Sequence, residues 1–360
     1  MNTDASVRSP IRVLVVDDSA FMRTALSRMI ASESGMEVVG TASSGSEALA
    51  RLGPLDPDVI TLDVQMPGLD GLETLRRIMA QAPRPVIMVS SVTEKDAEIT
   101  FNALGAGAFD YLPKQLAAST LDILHIRPGL IAKIRAAASS QCSYKNIGKK
   151  PSSSVPAANL GPITARPAIV ALGTSTGGPK ALQEILPLFP RDLSVPILIV
   201  QHMPPGFTAP FAQRLNALSA VSVREAAGQE RVESGVVYIA PAGMHMTVER
   251  LSETEAVICL DTQPANCLHM PSVDILMKSV AKNFGNSSMG VILTGMGSDG
   301  AQGMKAIHRE GGLTVGQDEA SCIVYGMPRA CAELGVLQRV VPLAQIPAQI
   351  VQATSYRRRA

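Results

Sequence analysis

Residues 11–19 read IRVLVVDDS, in which an apolar run with one charged residue, Arg12, predicts a strand at 11–16 and ends in two aspartates and a serine. Continuous Val, Ile and Leu runs are typical of strands buried on both faces of a parallel sheet. Outward from this stretch, similar runs predict further strands at 37–42, 59–62, 86–90 and 108–112, with helical segments such as 20–31 and 72–81 between them. This alternation of five strands and five helices predicts an α/β domain with a five-stranded parallel sheet.

The second half of the chain repeats the alternation. Apolar runs predict strands at 168–172, 197–201, 236–239, 256–260, 290–293 and 313–315. Between the halves, residues 138–166 are polar, rich in Ser and Pro, and without periodicity, which is typical of a linker. We therefore predict a first domain at 10–130, a linker at 131–166, and a doubly wound, mostly parallel α/β domain at 167–348.

The composition excludes several classes of protein. A chain of 360 residues with 46% hydrophobic and 18% charged residues can build two cores, which argues against disorder. The net charge of +1 gives no nucleic-acid footprint. Five cysteines without a Cys-x-x-Cys pair disfavour a disulfide framework or a zinc site. No apolar run reaches the ~18 residues of a membrane span, and the first residues lack the apolar core of a secretory signal. We expect a cytoplasmic monomer.

Polar side chains stand at the carboxyl ends of the first-domain strands. Asp17 and Asp18 follow the first strand, Asp63 the third, Ser90 ends the fourth, and Lys114 follows the fifth. Because such ends converge on one crevice, three carboxylates would meet there and need a hard cation such as Mg²⁺. An aspartate beside Mg²⁺ can accept a phosphoryl group, with a lysine and a hydroxyl on its oxygens. The alternative is a helix N-cap pair at Asp17 and Asp18, which leaves the other three residues unexplained.

The same residues resemble the receiver domain of two-component response regulators. The likeness covers about residues 10–130 and rests on VVDDS at 15–19, LDVQMPGLDG at 62–71, and the serine and lysine at positions 90 and 114. The resemblance implies a flavodoxin-like fold, a histidine kinase as phosphodonor, and Tyr111 as an aromatic that reorients on activation. It also implies the following roles: phosphoacceptor for Asp63, Mg²⁺ ligands for Asp17, Asp18 and Asp63, and phosphoryl contacts for Ser90 and Lys114.

A glycine-rich turn opens the second domain. Residues 173–179 read GTSTGGP and lie between the predicted strand 168–172 and a predicted helix at 179–186. Glycine permits a tight turn, and proline favours the first helical turn. Ser175 would then lie exposed near the positive end of the helix dipole. By itself the motif fits a nucleophile elbow and a phosphate-binding loop equally well.

Two residues at other strand ends favour the hydrolase. His202 follows the predicted strand 197–201, and Asp299 follows the strand 290–293. A serine nucleophile requires a base, which a histidine oriented by a carboxylate supplies. Taken singly, His202 fits a structural histidine and Asp299 a turn aspartate, but their joint placement with Ser175 predicts a catalytic triad. We expect structural roles for His245 and His269, which could line the site.

The second domain resembles the chemotaxis protein-glutamate methylesterase family over about residues 167–348. The likeness rests on GTSTGG at 173–178, QHMP at 201–204, YIAP at 238–241, LTGMGSDG at 293–300, QDEAS at 317–321 and GMP at 326–328. It implies cofactor-free hydrolysis of glutamate methyl esters on methylated chemoreceptors, with deamidation of receptor glutamines. The implied roles are nucleophile for Ser175, general base and then acid for His202, orienting carboxylate for Asp299, and oxyanion stabilisation by Thr176 and the backbone N–H of Met296.

One departure and one regulatory expectation accompany this resemblance. Met270 stands where the family usually has an arginine, so substrate docking should differ if that arginine contacts an acidic receptor surface. The resemblance also implies that the receiver covers the active-site mouth until Asp63 is phosphorylated. Two other classes of protein are alternatives to the enzyme. A non-catalytic, phosphorylation-dependent scaffold leaves the triad unexplained, and a DNA-binding regulator lacks a basic patch and a helix-turn-helix pattern.

Overall fold

The first unit of the chain is built on a parallel sheet of five strands. The computed structural model describes residues 9–91, 94–114, 126–139 and 166–354, and the chain divides into the units Met1–Ser152 and Ser153–Ala360. The strands are β1 (Ile11–Val16), β2 (Met36–Ala42), β3 (Val59–Asp63), β4 (Val86–Ser91) and β5 (Asp110–Lys114). Their order is β2-β1-β3-β4-β5, with every neighbouring pair parallel. The predicted fold of this domain is confirmed.

Five helices accompany these strands in the described residues. They are α1 (Ala20–Ala31), α2 (Gly45–Leu55), α3 (Gly71–Gln81), α4 (Glu94–Gly105) and α5 (Arg127–Ser139). The first three begin at side-chain caps, because Ser19, Ser44 and Asp70 each accept a hydrogen bond from the backbone N–H three residues on. Helix α5 buries an apolar face against β3, β4 and β5. The domain boundary predicted at residue 130 falls inside this helix, so the packed part of the first unit continues to Ser139.

The second unit contains a parallel sheet of seven strands. These are β6 (Ile169–Thr174), β7 (Ile197–Gln201), β8 (Ser222–Glu225), β9 (Val236–Ile239), β12 (Ser288–Ile292), β13 (Leu313–Gln317) and β14 (Arg339–Val341), in the order β14-β13-β12-β6-β7-β9-β8. All neighbouring pairs are parallel. The predicted strand at 256–260 lies outside this sheet, because β10 (His245–Arg250) and β11 (Ala256–Asp261) form a separate antiparallel hairpin.

The helices of the second unit are α6 (Gly178–Ile185), α7 (Thr208–Leu218), α8 (Val273–Phe284), α9 (Ala301–Arg309), α10 (Met327–Glu333) and α11 (Ile346–Thr354). The predicted domain end at residue 348 lies within α11. Helices α8 and α9 pack on each other and contribute buried side chains to the core beside β6, β7 and β12. None of the helices in the described ranges combines the length and apolar character that crossing a membrane requires.

The strand order places one crevice at the centre of this sheet. β6 comes first in the sequence yet lies in the middle, with β12 on one side and β7 on the other. Connections therefore leave the carboxyl end of β6 and its neighbours in opposite directions. In open α/β sheets, ligands bind at such a switch point. Ser175, His202 and Asp299 all lie in the loops that follow these three strands.

Candidate functional site

The carboxylates of the first unit converge as the sequence predicts. Oxygen atoms of Asp17, Asp18 and Asp63 lie within 4.8 Å of one another. Nζ of Lys114 lies 2.9 Å from Oδ2 of Asp17 and 2.8 Å from Oδ2 of Asp63. One ammonium therefore pairs with two of the three carboxylates. This donor set of oxygens, with more negative than positive charge, suits a hard divalent cation such as Mg²⁺.

The titration of this cluster follows from its burial. Asp17 and Asp63 are buried, and Asp18 is exposed. Burial raises the pKa of Asp63 to about 6, with Lys114 opposing the shift and Asp17 adding to it. Burial alone would lower the pKa of Lys114, but Asp63 and Asp17 outweigh it and raise that pKa. A cation that joined the carboxylates would favour their ionised forms.

The other two predicted residues of this unit lie deeper in the fold. Ser90 is fully buried, its hydroxyl donates to the carbonyl of Ser91, and it accepts a hydrogen bond of 2.9 Å from Thr100. The cavity beside Asp63 is lined by Ser91. The sequence did not single out this serine. Tyr111 is also buried, and burial raises the pKa of its hydroxyl well above the usual value.

In the second unit, the turn that carries Ser175 is fixed by its own backbone. The N–H of Ser175 donates to the carbonyl of Thr294 at 3.1 Å, and its carbonyl accepts from the N–H of Gly178 at 2.8 Å. Gly177 has φ 78°, a left-handed conformation that favours glycine. A Cβ on Gly178 would overlap the side chain of Gln201. These glycines let the strand turn sharply into α6 and leave Ser175 at the turn.

His202 lies beside Ser175 at the end of the adjacent strand. Thr174 and Gln201 are register partners in β6 and β7, and the N–H of His202 donates to the carbonyl of Thr174 at 3.2 Å. Nε2 of Gln201 joins the two turns, because it lies 3.0 Å from the carbonyls of both Ser175 and His202. The sequence motif contained Gln201, but only the structure shows that it connects the turns of Ser175 and His202.

The two imidazole nitrogens of His202 differ in their hydrogen bonding. Its Nε2 lies 2.8 Å from Oδ2 of Asp299, and its side chain is 9% exposed. Within the described part of the chain, Nδ1 of His202 is buried without a hydrogen-bond partner. Because Asp299 is an acceptor, Nε2 carries the proton in the neutral ring and Nδ1 is left as the basic nitrogen. This is the arrangement a general base requires.

Asp299 is surrounded by donors. Besides His202, it accepts hydrogen bonds from Oγ of Ser272 at 2.9 Å and from the N–H groups of Val273 and Asp274 at 2.8 and 3.0 Å. Burial alone would raise the pKa of Asp299, but the bonds from His202, Asp274 and Val273 outweigh it and hold that pKa well below its usual range. Asp299 is therefore an anion at the N-terminus of α8.

The carboxylate of Asp274 makes the reciprocal interaction with the start of α9. Oδ1 of Asp274, in the first turn of α8, accepts the N–H groups of Gly300 and Gly303 at 2.9 and 2.7 Å. Asp299, just before α9, caps α8, while Asp274 in α8 caps α9. We call this arrangement the crossed caps of Asp274 and Asp299. It fixes Asp299 from two directions.

The predicted oxyanion residues lie on two strand-end turns that are joined to each other. Oγ1 of Thr294 donates to the carbonyl of Thr176 at 3.0 Å, and the N–H of Thr294 donates to Oε1 of Gln317 at 2.8 Å. The carbonyl of Gly295, which precedes Met296, accepts the N–H of Gly326 at 3.0 Å. Thr176 is buried and Met296 is half-buried. The turns around both predicted donors are therefore held rigidly.

The sequence allows His269 to line the site and favours a structural role for it, but only the structure shows its contact with His202. Its ring stacks on that of His202, with centroids 3.9 Å apart and an angle of 15° between planes. His245, by contrast, is buried and hydrogen-bonded at both nitrogens, which agrees with the structural role expected for it. The only sequence signal for His269 was its place just before Pro271 and Ser272, which precede α8.

Comparison with known proteins assigns both units to families. The sequence model of the CheB methylesterase family matches residues 170–350, and that of the response regulator receiver domain matches residues 13–124. Among solved structures, the catalytic domain of CheB methylesterase from Thermotoga maritima is 37% identical with a TM-score of 0.50. The match covers 52% of this chain and 98% of that domain.

Full-length relatives match both units together. A protein-glutamate methylesterase/protein-glutamine glutaminase 2 of Nitratidesulfovibrio vulgaris is 45% identical, and the match covers 95% of this chain and 98% of the relative. A protein of the same name without the number, from Archaeoglobus fulgidus, is 44% identical over 95% of this chain and 97% of its own length. The chain therefore belongs to the family of protein-glutamate methylesterases/protein-glutamine glutaminases that carry a response regulator receiver domain.

Proposed function

We propose that this chain hydrolyses glutamate methyl esters on chemoreceptors, and deamidates receptor glutamines, through a serine nucleophile that phosphorylation of Asp63 controls. The observation that carries the mechanism is the state of His202. Its Nε2 is paired with an anionic Asp299, and its buried Nδ1 has no partner among the described residues, one strand away from Ser175. Neighbouring strands lie ~4.8 Å apart, which brings the two turns within reach of a proton transfer.

In the first half-reaction, Oγ of Ser175 attacks the side-chain carbonyl carbon of the methyl ester while Nδ1 of His202 takes the hydroxyl proton. The tetrahedral intermediate collapses as the bond to the methoxy oxygen breaks. His202 returns its proton to that oxygen, and methanol leaves. Asp299 stabilises the imidazolium that exists between these steps.

In the second half-reaction, His202 takes a proton from water, whose oxygen attacks the acyl-serine. Ser175 leaves with its proton restored, and the product is a glutamate side chain. A glutamine follows the same path and releases ammonia in place of methanol. Thr176 and the N–H of Met296 stabilise the oxyanion in both halves, where one such donor contributes ~10²–10³-fold to kcat.

The receiver unit supplies the control. Asp63 accepts a phosphoryl group from a histidine kinase, and Lys114 and Ser90 contact the phosphoryl oxygens. For Ser90 this requires its hydroxyl to leave the hydrogen bond with Thr100. Asp17, Asp18 and Asp63 would hold Mg²⁺, which when bound neutralises charge on the phosphoryl group. The grouping of their oxygens within 4.8 Å supports this assignment.

The test is methanol release from a methylated receptor fragment by the full-length chain with a small-molecule phosphodonor. Ser175→Ala should abolish release and, by mass spectrometry, the conversion of glutamine to glutamate. Ser222→Ala, an exposed serine in the edge strand β8, is the matched control and should leave both rates unchanged. Undiminished release by Ser175→Ala would favour a non-catalytic scaffold with a contaminating esterase.

A further inference from the structure

The hydrogen bond to Asp299 does not by itself fix the orientation of the His202 ring plane. The bond from Nε2 to Asp299 fixes a single atom of the imidazole, about which the ring plane can still turn. The hydrogen-bond partner that would fix Nδ1 is missing from the described residues. A base must present its nitrogen to the nucleophile within tight geometric limits. Something besides Asp299 has to hold the plane of the ring.

His269 is placed to do this. Its ring lies nearly parallel to that of His202 at a centroid distance of 3.9 Å. A ring stacked at that distance blocks rotation of the His202 plane in its direction, because aromatic pairs resist approach much below their contact distance. The contact covers a face of the ring and leaves the edge that carries Nδ1 untouched.

The segment that carries His269 is itself anchored. The N–H of Ser272 donates to Nδ1 of His245 at 3.2 Å, so Nε2 of His245 carries the proton and donates to the carbonyl of Pro264 at 3.3 Å. One buried imidazole thus ties together both ends of the segment 264–272. The carbonyl of Met270 accepts the N–H of Gly243 at 3.1 Å as well. His269 therefore lies on a segment that hydrogen bonds hold in place.

The charge state of His269 suits a packing role. Burial and, to a smaller extent, the neighbouring His202 lower the pKa of His269 to about 4, while Asp299 opposes the shift. At neutral pH the ring is uncharged. An uncharged ring can remain stacked on His202 when that residue becomes an imidazolium, whereas two adjacent cations would repel each other.

We propose that His269 is a positioning residue, whose ring packs flat on His202 and holds it with Nε2 on Asp299 and Nδ1 towards Ser175. The inference rests on the proposed role of His202 as general base. It makes a distinct prediction: activity should be retained when an aromatic ring without nitrogens replaces His269, and lost when a small side chain replaces it. A proton-transfer role for His269 predicts instead that both replacements fail.

The experiment compares His269→Phe and His269→Ala in the full-length chain with a phosphodonor, measuring kcat and KM for methanol release. We expect His269→Phe to keep kcat within about threefold, and His269→Ala to lower kcat on the order of 10²-fold with little change in KM, as misplacement of a catalytic group does. A Phe variant as slow as the Ala variant, or an Ala variant as fast as the wild type, would overturn the proposal.

A second readout needs no turnover. The chain has five histidines, so selective ¹⁵N-histidine labelling gives a small set of imidazole resonances, and Asp299→Asn identifies that of the Nε2–H of His202. This resonance should persist in the Phe variant and broaden in the Ala variant. If the wild type releases no methanol while the resonance behaves in this way, the positioning role holds and the proposed function fails. An unchanged resonance in the Ala variant overturns the positioning role.

Discussion

Replacement of Asp299 by asparagine is the most informative perturbation of the proposed site. Each carboxylate oxygen accepts two hydrogen bonds, Oδ2 from His202 and Val273 and Oδ1 from Ser272 and Asp274. An amide has one oxygen, so one of these pairs must face an NH₂ group. The variant can keep the donation from Nε2–H of His202 only if its NH₂ group occupies the Oδ1 position. There the NH₂ group faces the N–H of Asp274, so that two donors meet.

The magnitude follows from this geometry. Loss of one N-terminal cap bond of α8 should lower the free energy of unfolding by about 1–2 kcal/mol. The larger effect is on the reaction, because a neutral amide no longer stabilises the imidazolium of His202. We expect kcat to fall by roughly 10³–10⁴-fold, up to the ~10⁴-fold effect that the same change has in a serine protease triad. That fall is equivalent to about 4–5.5 kcal/mol in activation free energy.

The assay is methanol release by the full-length, phosphodonor-treated chain, together with urea unfolding. Ser272→Ala is the matched control, because it removes one hydrogen bond to Asp299 and the cap to Ile275 but leaves the His202 bond intact. It should lose about 1 kcal/mol of stability and less than about tenfold in kcat. The reasoning is refuted if Asp299→Asn folds and keeps kcat within tenfold, or if the two variants lose equal activity.

Three further predictions concern acid stability, regulation and docking. The folded-state pKa of Asp299 lies well below its unfolded value near 4, so its stabilisation is complete above that pH and is lost progressively as the pH falls below it towards the folded value. Urea unfolding at pH 6 and pH 3 should therefore show a smaller deficit of Asp299→Asn in acid. Asp63→Asn should lose the stimulation of methanol release by a phosphodonor while its basal rate stays unchanged. Asp56→Asn, at an exposed aspartate paired with Arg84, is the control and should keep the stimulation. Stimulation that survives in Asp63→Asn would contradict the assignment. Leu268 is 92% exposed beside His269, so Leu268→Ser should raise KM ~5-fold, which corresponds to about 1 kcal/mol of lost apolar contact. Leu251→Ser is the control, because Leu251 directly follows β10 and is 59% exposed; an equal rise there would refute a docking role.

The strands that the sequence predicted best are those with sharp chemical boundaries. Ile11–Val16, Ile197–Gln201 and Val236–Ile239 were predicted with the bounds that the structure shows, because each is an apolar run between polar or glycine-containing turns. The strands that were missed in the second sheet, Ser222–Glu225 and Arg339–Val341, lie at its two edges. Edge strands are short and partly solvated, so their residues carry little apolar pattern.

The fifth strand shows how a turn displaces a prediction. The apolar run suggested 108–112, but the strand is Asp110–Lys114. Gly107 has φ 108° and follows the end of α4, so the chain needs the next two residues to reach the sheet, where Phe109 donates to the carbonyl of Val86. The shift places Lys114 as the last residue of the strand, beside the carboxylates.

In the site, the sequence revealed residues at strand ends and missed those that depend on tertiary contacts. Ser175, His202 and Asp299 follow three neighbouring strands, which strand-end reasoning finds without knowledge of packing. The stacking of His269 and the donation from Ser272 to Asp299 depend on how the segment before α8 folds back over the sheet. No periodicity in the sequence encodes that path, so these contacts appeared only in the structure.

The crossed caps of Asp274 and Asp299 also determine how the site can open. Each helix start supplies the acceptor for the other, so neither α8 nor α9 can fray without releasing the amides of its neighbour. Amide hydrogens of Val273, Asp274, Gly300 and Gly303 should accordingly exchange with solvent as one cooperative group, with a common protection factor. The carboxylate of Asp299, which we propose orients His202, belongs to that group. Its geometry is therefore either intact or lost together with both helix starts, with no partially opened state between.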